Sequence, residues 1–307
     1  MSASPYEVVI VGGGAAGLSA ALVLGRARRR VVVIDAGSPR NAPAAHMQGF
    51  LSRDGMPPAD LLATGRSEVG AYGVEIIRDH VVEIEGGSIV RSAAGRALPA
   101  RRILLATGVR DKLPDLPGVP ERWGRDLLHC PYCHGWEVRD QPLGVLGTRP
   151  DAVDHALLVR QWSADVVLFA HTLDLAPNDA LRLEARGIEI VPGPVARLVI
   201  ADDRLVGVEL RDGAVVPRTA VFVRPVNVPH EDGLLATLRC DVDAAGFPVV
   251  DGTGRTSVPG VWAAGNVVDP RTQVITSAGA GSAAAIAINA DLVREDVERA
   301  VRQLDDR

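Results

Sequence analysis

Lysine is almost missing from this chain of 307 residues: Lys112 is the single one among 33 basic residues, and the rest are arginine. With 38 acidic residues and a net charge of -5 there is no basic stripe of the kind that tracks a phosphate backbone, so no nucleic-acid partner is expected. Cysteine is limited to three positions, too few for a disulfide framework, and two of them form a CxxC pair, Cys130 and Cys133. No apolar run reaches the roughly 18 residues of a membrane span. The nearest, residues 277–293, is rich in alanine and glycine and broken by Ser282 and Asn289, so no membrane association is expected. The N-terminal residues lack a charged n-region and an apolar h-region, so a cytoplasmic location is expected. What remains is 47% hydrophobic and 23% charged, the composition of a globular protein of about two domains.

The first structured motif is a strand, a tight turn and a helix. Residues 7–11 (EVVIV) are apolar and β-branched, Gly12, Gly14 and Gly17 follow in a GxGxxG pattern, and an Ala/Leu-rich helix pattern begins at Leu18. A second buried-type strand, residues 30–34, ends on Asp35, which lies 23 residues after Gly12. This is the context in which GxGxxG reads as a dinucleotide site. Gly12 permits the turn, Gly14 lets backbone approach a diphosphate at the helix N-terminus, Gly17 allows helix and strand to pack closely, and Asp35 would accept hydrogen bonds from a ribose.

Further strands with small-residue turns are expected at 102–108 and 260–266, and a helix over 276–292. Between them, residues 142–146, a turn at 147–152, a helix through Trp162 and a strand at 165–169 repeat the strand-turn-helix-strand unit. The fold class is therefore α/β, with two Rossmann-like three-layer nucleotide-binding domains, the second inserted into the first.

Taken in order, Gly12-x-Gly14-x-x-Gly17 with Asp35, Ala106-Thr107-Gly108, Cys130-Pro-Tyr-Cys133 and Ala263-Ala-Gly265-Asn266 resemble the low-molecular-weight thioredoxin reductases over nearly the whole chain. Within that group, His134 directly after the second cysteine is more similar to the dithiol oxidases of the gliotoxin and holomycin type, flavoenzymes that close a disulfide in a small molecule and reduce dioxygen. The resemblance implies a discontinuous FAD domain at 1–115 and 242–307 and an inserted NAD(P)H-binding-like domain at 116–241 carrying the CxxC. It implies FAD as cofactor, held by Gly12, Gly14, Gly17, Asp35, Arg40, Asn41, Thr107, Gly108, Gly265, Asn266, Gln273 and Val274. Asn266 stands where reductases usually have an aspartate. A homodimer is also implied.

Cys130, Cys133 and His134 are the expected catalytic set. A CxxC exchanges disulfides through its thiolate, and an imidazole titrating near neutrality can take and return the thiol proton. Three other readings stand beside it. The run matches the CxxCH of c-type haem attachment, but with a FAD pattern around it and no export signal. Half a zinc site needs two more ligands, and Cys240 and His129 are not at a paired spacing, so no metal is expected. The third is a pair of buried inert thiols. Cys240 reads as a core thiol, and His129 either assists His134 or caps a loop.

A reductase would also need NADPH on the inserted domain. Aligning Gly147 with Gly12 puts Arg149 at the middle glycine and Ala170 at the acidic position, and the resemblance would put a 2′-phosphate arginine pair at His171 and Thr172. These departures make NADPH the weaker partner, although Arg149 could reach a phosphate from a shifted position. The expected function is oxidation of a small-molecule dithiol with dioxygen as acceptor. The alternatives are a thioredoxin reductase using NADPH or another donor, and a flavin-binding protein without turnover. His46, Gln48, Phe50, Trp136 and the stretch 221–230 are candidates for lining the substrate pocket.

Overall fold

The computed structural model describes residues 6–230 and 233–305, and the chain divides into two compact units. One unit runs to Arg40, resumes over Ala59–Arg110 and returns at Asn227; the other holds Asn41–Pro58 and Asp111–Val226.

The first unit is built on strand Tyr6–Val11, whose last four residues are all buried. Such continuous burial requires cover on both faces, and the period of two divides the work. Val8 and Ile10 pack with helix Ala15–Arg26 and with the long helix Val274–Asp305, while Val9 and Val11 pack with Ile84, Val90 and Leu234 on the opposite face. The sheet order is Glu75–Arg78, Val31–Asp35, Tyr6–Val11, Ala97–Leu105 and Val261–Ala263, all parallel neighbours. Strands Val81–Glu85 and Ile89–Ser92 add an antiparallel hairpin to the start of Ala97–Leu105.

The second unit repeats the design. Its parallel sheet runs Glu189–Val191, Val166–Phe169, Leu143–Leu146, Ala220–Val223, Leu127–Leu128. Helices Ala152–Val159 and Pro177–Ala185 cover one face through Ala156, Val159 and Leu183. The antiparallel strands Val195–Ala201, Arg204–Leu210 and Val215–Pro217 cover the other through Val195, Leu198 and Val208. Both units are thus three-layer and Rossmann-like, as expected.

The boundaries differ from those read in the sequence. Residues 227–241 belong to the first unit, not to the insertion, because Leu234, Leu238 and Cys240 are buried against Val81 and Ile84. Residues 41–58 group with the second unit, where Gly124 meets the backbone of Pro43 with no room for a side chain. The last helix also runs well past 292, to Asp305. Its added turns carry Glu295 and Asp296, which pair with Arg101, and Asp296 also with Arg29. Among the described residues no helix is long and apolar enough to cross a membrane.

Candidate active site

In the first unit four segments converge on the N-terminus of helix Ala15–Arg26. Gly12 has φ +106 and lies so close to the Ala106 carbonyl that a Cβ has no room, which brings 106–108 beside the turn. A Cβ on Gly17 would collide with the Gly12 carbonyl, whereas one on Gly14 would meet nothing within 4 Å. Gly14 is the N-cap and no side chain caps the helix, so its first N–H groups face open space. Asp35 accepts from the Gly13 and Gly37 amides, each at 3.2 Å, at the end of its strand. Gly265 closes the group, with a built Cβ only 2.8 Å from that of Ala16.

That set fits the ADP half of a dinucleotide: open backbone donors at a helix N-terminus, room where the middle glycine stands, and a carboxylate one strand over. The remaining expected residues are placed less directly. Arg40 donates to the Pro270 carbonyl at 2.6 Å. Asn266 donates to the carbonyls of Asp269 and Thr272 at 3.1 and 3.0 Å, so its amide N–H groups brace their own loop, a task a carboxylate could not perform. Val274 opens the last helix and Gln273 precedes it, accepting from the Ser277 amide. Asn41 opens the segment that groups with the second unit, where its carbonyl accepts from Ala44.

In the second unit Cys130 and Cys133 are joined as a disulfide, with Cα atoms 5.2 Å apart. Cys130 is the N-cap of the single turn Pro131–His134, and its carbonyl accepts from both Cys133 and His134 amides at 3.1 Å. Gly135 follows because a Cβ there would meet the Pro131 carbonyl and the Trp162 ring. His134 has a buried Nδ1 without a hydrogen-bond partner. Burial pushes its imidazole below the ordinary value, against the opposing pull of Glu137 and the Cys130 backbone. It is therefore neutral, and a base, near pH 7. Tyr132 and Trp136 flank the turn and are 64% and 66% exposed; Tyr132 rests edge-on against Trp162, and the Arg139 guanidinium lies 4.0 Å from the Trp136 ring centroid.

His129 is turned away into the unit. Its Nδ1 lies 3.3 Å from the Val223 carbonyl, which can only accept, so Nδ1 carries the proton and the ring anchors the loop entering Cys130. His155, 1% exposed, lies beside it with the ring centroids 6.2 Å apart and the planes tilted at 57°, and hydrogen-bonds its backbone. Desolvation, with Arg224 and His129 adding to it, lowers the His155 imidazole to about 3.

The turn at 147 repeats one packing contact of the first cradle, runs two residues longer to its helix and differs in contents. Gly147 packs on the Phe169 and Ala170 carbonyls as Gly12 packs on Ala106. Arg149, at the middle position, donates to Asp151 at 3.2 and 3.4 Å, and Arg224 donates to the same carboxylate at 3.4 Å. The expected 2′-phosphate positions are also engaged: His171 Nδ1 accepts from the Val195 amide at 3.0 Å, and Thr172 donates to the Gly147 carbonyl at 3.3 Å. Asp151 and His155 are not among the candidates that the sequence offers, and Arg224 is there only as one of the residues 221–230. Asp151 was detectable as a charge beside Arg149 at a helix start; Arg224 and His155 carry no local signal. Of the other pocket candidates, His46, Gln48 and Phe50 lie on a loop closed by paired Met47 and Met56 backbones. Among the described residues no group of three or more His, Cys, Asp or Glu could hold a metal ion.

Comparison with known proteins agrees with this layout. A family model described as pyridine nucleotide-disulphide oxidoreductase matches residues 6–284. The thioredoxin reductase sirT of Leptosphaeria maculans is 31% identical over 320 residues, 96% of each chain. The crystal structure of HlmI superposes with a TM-score of 0.94 at 60% identity, covering 97% of this chain and 96% of that one. That of an oxidoreductase from Agrobacterium tumefaciens gives 0.89 at 32% identity, covering 94% and 99%.

Proposed function

This chain belongs to the pyridine nucleotide-disulphide oxidoreductases, as a thioredoxin reductase-like enzyme that binds FAD, and from that footing we propose that it oxidises a small-molecule dithiol to an intramolecular disulfide with dioxygen as acceptor. The observation that carries the direction is the second cradle, where Arg149, Asp151 and Arg224 stand in the space a reductase needs for its nicotinamide donor.

In this reading a substrate thiolate attacks Sγ of Cys130, the Cys130–Cys133 bond breaks, and Cys133 leaves as the thiolate. The second substrate thiol then attacks the substrate sulfur of the mixed disulfide, closing its own disulfide and releasing Cys130. His134, neutral through burial, takes the thiol proton as each thiolate forms. Gly12, Gly14, Gly17, Asp35, Thr107, Gly108 and Gly265 hold the FAD, with Arg40, Asn41, Asn266, Gln273 and Val274 around it. FAD bound there would supply the two-electron acceptor that this turnover needs, with dioxygen as the final acceptor and hydrogen peroxide as its product. The partner set is a dithiol and dioxygen, in the cytoplasm. A homodimer is supported by the exposed apolar line Ile286, Val293, Val297, Val301 and Leu304 along the last helix.

The test is anaerobic stopped-flow absorbance of the yellow holoenzyme, mixed separately with NADPH and with a simple dithiol. Bleaching by the dithiol alone, reversed by air with release of peroxide, is the expected result. Rapid bleaching by NADPH would make it a thioredoxin reductase, the reading favoured by the name sirT carries. Cys133→Ser should keep FAD and lose dithiol-driven bleaching.

A further inference from the structure

The two units share one topology, so their cradles can be compared position by position. Strand Tyr6–Val11 pairs with Ala97–Leu105 in the register Val11 to Leu105, and strand Leu143–Leu146 pairs with Ala220–Val223 in the register Leu146 to Val223. The residues just beyond these pairs, Gly12 with Ala106 and Gly147 with Arg224, therefore correspond. Counted from the helix starts, Gly14 and Asp151 correspond, each being the N-cap of its helix. In the first unit Gly14 and Ala106 are small; in the second Asp151 and Arg224 are charged and bonded to each other, and Arg149 joins them at Asp151.

We propose that Asp151 closes the second cradle as an internal substitute for a diphosphate, its carboxylate held between Arg149 and Arg224 at the start of helix Ala152–Val159. This inference rests on the reading of the enzyme as one that does not draw electrons from NADPH, and it names the residue responsible.

Three observations support it. Asp151 is the N-cap of its helix yet makes no side-chain cap, and its two oxygens go instead to the guanidinium groups. Two forked cations at a helix N-terminus are the donor set that recognises a phosphate oxyanion, and here they receive a carboxylate. Arg224 Nε is buried without a hydrogen-bond partner among the described residues, so the guanidinium is not fully satisfied by Asp151. A dinucleotide diphosphate arriving at this point would meet a like charge and find its donors engaged. Neutralising Asp151 leaves two cations and the helix N-terminus facing solvent, and the cradle becomes an anion site.

The experiment titrates inorganic pyrophosphate into FAD-saturated enzyme by isothermal calorimetry at low ionic strength, for the wild type, Asp151→Asn and Asp151→Asn with Arg224→Gln. Asparagine is a good N-cap, so the variant should fold, and Asp151→Gly provides a second test of the same point. Pyrophosphate affinity is expected to rise at least tenfold in Asp151→Asn and to fall back in the double variant, with dithiol turnover unchanged throughout. Equal affinity in wild type and both Asp151 variants, or a gain that survives removal of Arg224, overturns the proposal. The two readings separate cleanly. If the wild type ignores NADPH and pyrophosphate and the variants gain nothing, the closure fails and the oxidase stands; if Asp151→Asn gains pyrophosphate but no dithiol bleaches the flavin, the closure stands and the oxidase fails.

Discussion

The turns at Gly12 and Gly147 hold the same place in two sheets of one design but differ in path: the helix N-cap comes two residues after Gly12, which has φ +106, and four residues after Gly147. Both first glycines donate an amide hydrogen bond of 2.8 Å, to the Ile34 and Phe169 carbonyls, and both are pressed against a neighbouring carbonyl where no Cβ fits. One residue later in the pattern they part: Gly14 opens on empty space, and Arg149 reaches into its cradle to a carboxylate. On the reading proposed above, the fold fixes where a nucleotide site can be, and the size and charge of the side chains at that place decide whether it is one. The unit with the second cradle is also the one that carries the Cys130–Cys133 pair.

The most damaging way to break the contrast is to give the first cradle the second one's residue. Gly14→Arg places its Cβ in free space, and the Gly14 backbone at φ -79 and ψ -170 suits any amino acid, so the thermal midpoint of the apoprotein should stay unchanged. Flavin content, read from the yellow absorbance after desalting, should drop to background and take all turnover with it. Retention of FAD would show that the middle glycine is not the point of backbone approach.

Next in size is His134, the base proposed for the cysteines. His134→Asn should lower kcat by roughly 10²–10⁴, the usual contribution of a positioned proton carrier. The pH profile is the sharper readout. Burial holds the folded imidazole below its ordinary value, so wild-type activity should be flat around neutrality and fall only on acidification through that lowered value. In the variant that acid limb should vanish, and an unchanged limb would mean that another group moves the proton.

How much of this could be read from the sequence depends on how far apart the cooperating residues lie. Gly12, Gly17 and Asp35 declare themselves because a strand, a turn and the next strand impose a fixed spacing, and Arg149 is visible as the wrong residue in that spacing. Cys130, Cys133 and His134 sit within one helical turn and are equally plain. Arg224 is 73 residues from Asp151, and only the register of two parallel strands brings them together. His155 is one more residue on an apolar helix until His129 is seen beside it. The misplaced boundary has the same origin: the four-residue helix Leu234–Thr237 is too short to show a period, and its allegiance is decided by burial against Val81 and Ile84.

His155 offers a smaller, thermodynamic probe of the same comparison, since the matching place on the first helix, counted from the N-cap, is Leu18, buried and uncharged. The folded state holds His155 neutral down to about pH 3, whereas the unfolded chain binds a proton near 6.5. Between those values the unfolded state carries more protons, so stability rises with pH across the window and is lost as pH falls through it. His155→Leu should cost about 1–3 kcal/mol at pH 7, from the bond it withdraws from the His129 backbone. The gap to wild type should narrow at pH 5, measured by urea denaturation. A gap that is constant with pH would show that His155 does not titrate on unfolding.

The mildest prediction concerns Trp136, and it distinguishes the cysteine-bearing unit from its partner on substrate contact alone. The ring is 66% exposed, so truncation removes little buried area and Trp136→Ala should leave the melting temperature and flavin content where they were. An exposed indole fixed under the Arg139 guanidinium three residues past Cys133 is nevertheless a ready surface for an apolar or flat substrate. If the dithiol lies against it, KM should rise about three- to tenfold, the loss of roughly 1 kcal/mol of stacking, with kcat nearly constant because the base and both sulfurs remain. A fall in kcat at constant KM would instead tie Trp136 to the geometry of the Cys130 turn, and the substrate would have to be sought on the other side of the disulfide.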